Sequence, residues 1–252
     1  MYTILWAGVF TILHLSFHKL VSLVIPKQYN ALPATKRNEL GTYVLSTLHH
    51  LVVVPYFTYA MISDFSQYSG SDFRFPDNHF DSIYVADGIL TFSLGFFLGD
   101  LCGYYVPRLL SHADPGYLYI FHHFLAMFAL VYFRSLSGAL LLALHLTLLM
   151  ETSTIFFNTA WMCRCLCGSF MPPIIITLLE YTFAVTFFLF RIAHVCMFLS
   201  HHWATVQQES ISFLACVALG MALQFFWFFK IVKSTLFRRS RTGASGKNKT
   251  KL

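Results

Sequence analysis

Residues 172–199, with the sequence PPIIITLLEYTFAVTFFLFRIAHVCMFL, indicate the class of fold most clearly. The only acidic, basic or imidazole side chains of this stretch are those of Glu180, Arg191 and His194. A helix needs about 20 mostly apolar residues to cross a bilayer, and this stretch is longer than that. Because the bilayer core offers no water to backbone groups, the stretch must form a helix. We therefore predict a transmembrane helix here.

Apolar stretches of nearly this length recur along the chain. They are Tyr2 to Ile25, Gly41 to Ile62, Tyr84 to Val106, Tyr117 to Phe133, Gly138 to Trp161 and Ile211 to Phe229. The composition agrees with them: 57% of residues are hydrophobic and 11% are charged, whereas soluble domains carry charge on about a quarter of their residues. We predict an all-α, polytopic membrane helical bundle of about seven transmembrane helices around a polar-lined cavity.

The net charge of +6 is a property of the C-terminal end. No acid accompanies the bases that follow Gln224, which are Lys230, Lys233, Arg238, Arg239, Arg241, Lys247, Lys249 and Lys251. This placement excludes a nucleic-acid-binding fold and indicates attraction to anionic lipid headgroups. We divide the chain into a first transmembrane helix with a basic loop (1–40), a transmembrane domain (41–230) and a basic, disordered tail (231–252).

The bases between the apolar stretches predict the orientation. Lys27, Lys36, Arg37, Arg108 and Arg164 fall in alternate loops, on the same side as the basic tail. Because Lys and Arg are enriched in short cytosolic loops, we expect a cytosolic C-terminus.

Ionisable side chains within the apolar stretches are the candidate functional residues. They are His49, His50, Asp87, Asp100, His122, His123, His145, Glu151, Glu180, Arg191 and His194. Such groups are costly in lipid, so they usually face a bundle interior and indicate function. The alternative is that they form structural hydrogen bonds between helices, worth about 0.6 kcal/mol each on average.

The directions in which adjacent histidines point limit the roles that each of them can have. Neighbours on a helix point about 100° apart, so one ring of a pair can face a cavity while the other meets an adjoining helix. His14 and His18 share one helix face, but no H-x-x-H-H box accompanies them. We therefore predict no metal site and no resident cofactor.

The sequence also has no glycine-rich phosphate loop and no G-x-S-x-G motif, which argues against hydride transfer and serine hydrolysis.

A series of motifs then resembles the TLC-domain family of membrane proteins. The motifs, in order, are Ser46-Thr47-Leu48-His49, Gly99-Asp100-Leu101 with Gly103-Tyr104, Ile120-Phe121-His122-His123, Glu151-Thr152-Ser153-Thr154 with Asn158 and Trp161, and Phe190-Arg191. The resemblance covers roughly residues 40 to 230. The E-x-S-T form at Glu151 is most similar to the small TLC-domain-containing branch. Ala126 and Leu146 stand where the related ceramide synthases carry Thr and Asp.

The resemblance implies roles for particular residues. His122 and His123 match the paired histidines that ceramide synthases need for activity, and Asp100 and Glu151 are candidates to orient them. We expect these residues to form a catalytic group if the protein is an enzyme. His49, Asn158 and Arg191 are the candidate lipid-binding residues.

Several functions stay open. The first is lipid homeostasis in an endomembrane such as the endoplasmic reticulum, through a cavity that binds sphingolipids or other acyl lipids. The second is an N-acyltransferase of ceramide synthase type, with acyl-CoA as co-substrate and a sphingoid base as acceptor; its imidazole would act as base or nucleophile. The third is a cargo receptor of the secretory pathway. Membrane lipids are the expected partners, nucleic acid is not, and a homodimer is also an expectation.

Overall fold

The structure, a computed structural model, describes residues 2–67, 80–111, 114, 116–133, 149–167, 170–201, 203–208 and 210–246. Every regular element in these ranges is helical. The α-helices, in chain order, are α1 (Tyr2–Val24), α2 (Pro26–Asn30), α3 (Ala34–Gln67), α4 (Phe80–Asp100), α5 (Val106–Leu110), α6 (Tyr117–Phe133), α7 (Thr152–Leu166), α8 (Pro173–Phe187), α9 (His194–His201), α10 (Trp203–Val206) and α11 (Ile211–Gly246).

Four helical segments of the described chain are long and apolar enough to cross a membrane. These segments are Tyr2–Val24, Gly88–Leu110, Pro173–Ser200 and Ile211–Ser234. Helix α6 is apolar but shorter, and the predicted second span lies inside α3. The all-α membrane bundle is therefore confirmed. The number of seven spans stays a prediction, since much of the stretch 138–161 lies outside the described residues.

Glycines on one face of α4 allow α1 to pack closely against it. A Cβ at Gly95 would lie 2.4 Å from the Trp6 Cβ, and a Cβ at Gly99 would lie 2.5 Å from the Phe10 Cβ. A Cβ at Gly103, just beyond α4, would lie 2.7 Å from the Cβ of His14. Small residues at intervals of four let membrane helices approach until their backbones touch. This glycine face (Gly95, Gly99, Gly103) sets the depth of His14 in the bundle.

A second group of contacts joins α3, α7 and α8. Helix α7 packs against both α3 and α8, and the Tyr43 ring of α3 stacks on Trp161 of α7 with centroids 4.1 Å apart. This packing places Glu151, directly before α7, next to the middle of α3. The two helix groups meet across a buried core that includes Val53, Phe96 and Leu130.

Two of the membrane-crossing segments contain a π-helical turn. One turn, Leu101–Tyr105, directly follows Asp100. The other, Phe188–Ala193, contains Arg191. A π turn inserts an extra residue into a helix, changes the direction of the side chains beyond it and is common at functional sites. Both turns therefore lie where the buried charges are.

Both of our domain boundaries fall inside helices. Residue 40 lies within α3, and residue 230 lies within α11, which continues to Gly246. The composition changes where polar residues begin, whereas a helix ends where its backbone hydrogen bonds end. Residues 247–252 of the basic tail lie outside the described chain.

Candidate functional site

One buried carboxylate lies between two imidazole rings. Asp100 Oδ2 lies 2.7 Å from the Nε2 atom of His123 in α6, and this contact is a hydrogen bond. Asp100 Oδ1 lies 2.7 Å from the Nε2 atom of His14 in α1, at ion-pair distance but with angles that do not meet hydrogen-bond geometry. The Asp100 side chain is only 2% exposed. We call His14, Asp100 and His123 the Asp100 cluster.

The contacts of His123 determine where its protons lie. Its Nδ1 atom lies 2.8 Å from the Tyr119 carbonyl oxygen, which can only accept a hydrogen bond. Its Nε2 atom faces the Asp100 carboxylate. Both ring nitrogens therefore face acceptors, and a proton must lie on each of them or be shared with Asp100. All three side chains of the cluster are buried, with the His14, Asp100 and His123 side chains 4%, 2% and 8% exposed.

A second carboxylate has a different set of partners. Glu151 Oε2 accepts hydrogen bonds from His50 Nε2 at 2.7 Å and from Thr154 Oγ1 at 3.1 Å. It also lies 3.3 Å from Arg191 Nη2. We call His50, Glu151, Thr154 and Arg191 the Glu151 cluster. Its charge differs in kind from that of the Asp100 cluster, because an arginine stays protonated in proteins.

The guanidinium of Arg191 donates from each of its nitrogens. It is buried, and its Cζ atom lies 5.2 Å from the centre of the Phe187 ring. Its hydrogen bonds are Nε to Ser153 Oγ (2.9 Å) and to the Met150 carbonyl oxygen (3.0 Å), Nη1 to Gln224 Oε1 (3.4 Å), and Nη2 to Thr154 Oγ1 (2.8 Å) and Glu151 Oε2. These contacts hold its π turn against the start of α7 and against α11.

Asn158 is linked to His50 through Ser46. Its Nδ2 atom donates to Ser46 Oγ at 3.0 Å. Ser46 Oγ in turn lies 3.3 Å from His50 Nδ1, which also contacts the Ser46 carbonyl oxygen. This chain of contacts orients the His50 ring toward Glu151.

A cavity of about 160 Å³ lies between α6, α11 and the π turn of Arg191. Its walls are mostly apolar, with residues such as Leu125, Phe128, Val217 and Met221. Its polar or ionisable side chains are His122, Tyr132, Glu151, Arg191, Cys216 and Gln224. The cavity is therefore an apolar pocket with a few polar groups, which is the usual composition of a site for an apolar ligand.

The two adjacent histidines of α6 differ in surroundings: one faces the cavity and the other faces the Asp100 cluster. His122 lines the cavity, with its ring centroid 5.1 Å from that of Trp227. His123 points instead to Asp100. Successive residues of one helix point about 100° apart, and this angle separates the two rings as expected. Of the predicted catalytic residues, the structure brings His123 and Asp100 together, and it places His122 and Glu151 on the cavity wall.

The candidate lipid-binding residues also separate. Arg191 lines the cavity, whereas Asn158 and His49 are not among its described lining residues. His49 is fully buried, its Nε2 atom lies 3.0 Å from Ser93 Oγ, and its ring stacks on Phe96 with centroids 4.2 Å apart. Lipid binding by His49 and Asn158 stays a prediction. Their contacts are those of structural residues.

Other predicted residues lie elsewhere. Glu180 pairs with Arg164 near the end of α7, and the buried His194 Nδ1 atom has no hydrogen bond to the described residues. His145 lies outside the described residues, as does the side chain of Asp87. In the described part of the chain, no group of three or more His, Cys, Asp or Glu side chains is arranged to hold a metal ion.

Sequence reasoning missed the place of His14 in the Asp100 cluster and the contact of Gln224 with Arg191. The sequence pairs His14 with His18, because the two residues share a helix face. In the structure, His18 contacts the Tyr29 hydroxyl and His14 contacts Asp100. The G-x-x-x-G-x-x-x-G spacing from Gly95 to Gly103 was a signal that a helix packs on that face. Gln224, a lone amide in an apolar stretch, was a further signal.

Comparison with known proteins gives one match. The model of the TLC domain matches residues 39–233. No curated protein and no solved structure matches the chain. The matched range includes Asp100, His123 and the whole Glu151 cluster, but α1 and His14 precede it.

Proposed function

Because the chain belongs to the TLC-domain family, we propose that it acts in membrane lipid homeostasis by holding a lipid in the cavity beside Glu151. It is an integral, helical membrane protein of a lipid-related family. The lipids proposed are sphingolipids or other acyl lipids. The observation that carries the proposal is an apolar cavity within the family domain whose few polar side chains include His122, Glu151, Arg191 and Gln224.

The dimensions of the cavity support lipid binding. Its volume is below the roughly 300 to 1,000 Å³ of pockets that enclose a drug-sized ligand. It therefore suits one acyl chain or the head of one lipid better than a complete two-chain lipid. Apolar side chains of α6 and α11 would lie against methylene groups, and each buried methylene contributes about 0.8 kcal/mol.

The location is part of the same proposal. We place the protein in the endoplasmic reticulum with its C-terminus in the cytosol. The bases at the end of α11, beginning with Lys230 and Lys233, support this orientation because they would attract anionic headgroups.

The alternative is acyl transfer from acyl-CoA to an amine. His122 lines the cavity, so an imidazole is available there. A base or nucleophile usually has a third group that orients it. Asp100 orients His123 instead, and within the described residues the His122 ring has aromatic contacts but no hydrogen bond. This arrangement favours binding over catalysis.

A cavity-filling variant tests the proposal. Gly220 lines the cavity, and a Cβ there would come no closer than 4.0 Å to Leu125 Cδ2. Gly220→Leu should therefore occupy the cavity without displacing the backbone. We expect native mass spectrometry of the purified full chain to detect a bound lipid in the wild type and to lose it in Gly220→Leu.

Gly88→Leu is the matched control, because a Cβ at Gly88 has nothing within 4 Å and the residue is not among those that line the cavity. This variant should retain the lipid. Equal lipid in Gly220→Leu and wild type would contradict the proposal. Incubation with acyl-CoA and a sphingoid base, followed by product analysis, separates binding from acyl transfer: turnover that requires His122 would establish the enzyme instead.

A further inference from the structure

The charged side chains of the cavity, Glu151 and Arg191, are already paired with each other and with other protein groups. We infer that the cavity takes a single-chain lipid with an uncharged hydroxyl or amide head and discriminates against both phosphate and ammonium heads. This inference rests on the proposed function, since it names the class of lipid that the same cavity binds.

Phosphate recognition needs guanidinium or ammonium groups with N–H bonds to spare. Arg191 is the only Lys or Arg among the described residues that line the cavity, and each of its nitrogens already donates to a protein acceptor. Only one of its five N–H bonds, the second on Nη1, has no acceptor among the described residues, so a phosphate could gain the usual bidentate contact only by breaking existing bonds. The Glu151 carboxylate, 3.3 Å from Arg191, would also repel an anion.

An ammonium head meets the opposite difficulty. It would need the Glu151 carboxylate as its counterion, but Glu151 Oε2 already accepts from His50, Thr154 and Arg191. The positive charge of Arg191 lies beside the same oxygen. A second cation in this apolar site would be left without compensation, and a buried unpaired charge costs far more than a buried dipole.

Two side chains of the cavity keep polar atoms that have no hydrogen-bond partner among the described residues. Gln224 accepts from Arg191 through Oε1, and its Nε2 donor makes no hydrogen bond to the described residues. The His122 ring likewise makes none within the described chain, and both side chains line the cavity. The site thus offers an amide donor and a ring nitrogen that can donate or accept. A hydroxyl or a primary amide, which both donates and accepts, complements this pair without adding charge.

The test compares single-chain lipids of equal chain length on the purified full chain. The panel is a monoacylglycerol, a primary fatty amide, a lysophosphatidic acid and a long-chain primary amine, each competed against radiolabelled monoacylglycerol. Only binding that Gly220→Leu removes is counted. We expect the two uncharged lipids to bind at least about tenfold more tightly than either charged lipid. Equal or tighter binding of a charged lipid would overturn the inference and leave the proposed function standing, whereas no cavity-dependent binding by any of the four would refute both.

A variant of Gln224 gives a signature that loss of stability would not produce. Gln224→Leu removes the amide donor and also frees Arg191 Nη1 from its acceptor. We expect weaker binding of the uncharged lipids and a higher relative affinity for lysophosphatidic acid. Gln207→Leu, at an exposed glutamine in the turn after α10, is the control and should leave the preference unchanged. An unchanged ratio of anionic to uncharged affinity in Gln224→Leu would contradict the inference.

Discussion

The Asp100 cluster and the Glu151 cluster are both buried carboxylates that contact imidazoles, but they differ in access and in charge. Asp100 is 2% exposed, and none of the residues of its cluster is among the described lining of the cavity. Glu151 is 15% exposed and lines the cavity together with Arg191. The Asp100 cluster contains two imidazoles and no arginine, whereas the Glu151 cluster contains Arg191, which stays protonated.

This difference separates two tasks. The Asp100 cluster joins α1 and α6 to the end of α4, where it can position helices and one proton. The Glu151 cluster presents a fixed ion pair to the ligand space. A buried charge that cannot be neutralised makes its partner indispensable, so we expect the two clusters to respond differently to the same kind of substitution.

The largest expected effect is on the packing that creates the Asp100 cluster. Gly99→Leu would place a Cβ 2.5 Å from the Phe10 Cβ and 2.9 Å from the Ala7 carbonyl oxygen. Because a backbone atom cannot move aside cheaply, we expect a loss of at least about 3 kcal/mol or separation of α1 from α4. Thermal unfolding of the purified protein measures this loss, with Gly88→Leu on the same helix as control. Equal stability of the two variants would show that α1 does not pack on the glycine face.

The next effect compares the carboxylates directly. Glu151→Gln leaves Arg191 charged in a buried site and should cost about 3 kcal/mol. Asp100→Asn should cost less, about 1 to 2 kcal/mol, because the Asp100 cluster contains no arginine whose charge would be left unpaired.

Denaturant or thermal unfolding in detergent gives both values. Glu39→Gln is the control, since the pair of Glu39 with Lys36 is partly exposed, with the side chains 31% and 42% accessible, and should contribute little. A larger loss in Asp100→Asn than in Glu151→Gln would show that the fixed charge of Arg191 does not decide the stability of the Glu151 cluster.

The smallest effect concerns α1, which precedes the TLC-domain match. His14→Phe removes the ion-pair contact of the second imidazole with Asp100 and should cost about 1 kcal/mol, the size of polar contacts between membrane helices. His14→Gln keeps an N–H donor and should recover most of the loss. Unfolding midpoints of the two variants check this order. If Phe and Gln are equivalent at position 14, the contact with Asp100 contributes no stability and α1 is held by its glycine-face contacts alone.

Much of the candidate site was visible in the sequence as a list of residues. Asp100, His122, His123, Glu151 and Arg191 were identified because ionisable groups are rare in apolar stretches, and rarity is a local property. Their pairing was not visible. Asp100 was expected to orient either histidine, but only His123 faces it.

The reason is geometric. Helix α6 is apolar on nearly all sides, so its hydrophobic periodicity does not indicate which face meets a neighbouring helix. The π turns after Asp100 and around Arg191 also shift the register of their helices, and no residue pattern announced them. Rotation and register decide which of two adjacent rings meets a carboxylate.

The sequence by itself determined the membrane class, the helical content and the supply of buried charges, because composition and stretch length depend on each segment alone. Only the packing of the helices brings His14 to Asp100, gives each nitrogen of Arg191 a protein acceptor, and turns His122 rather than His123 toward the cavity. These outcomes depend on distances between helices. They follow from how closely the glycine face lets α1 approach α4 and from where the π turns direct the charged side chains.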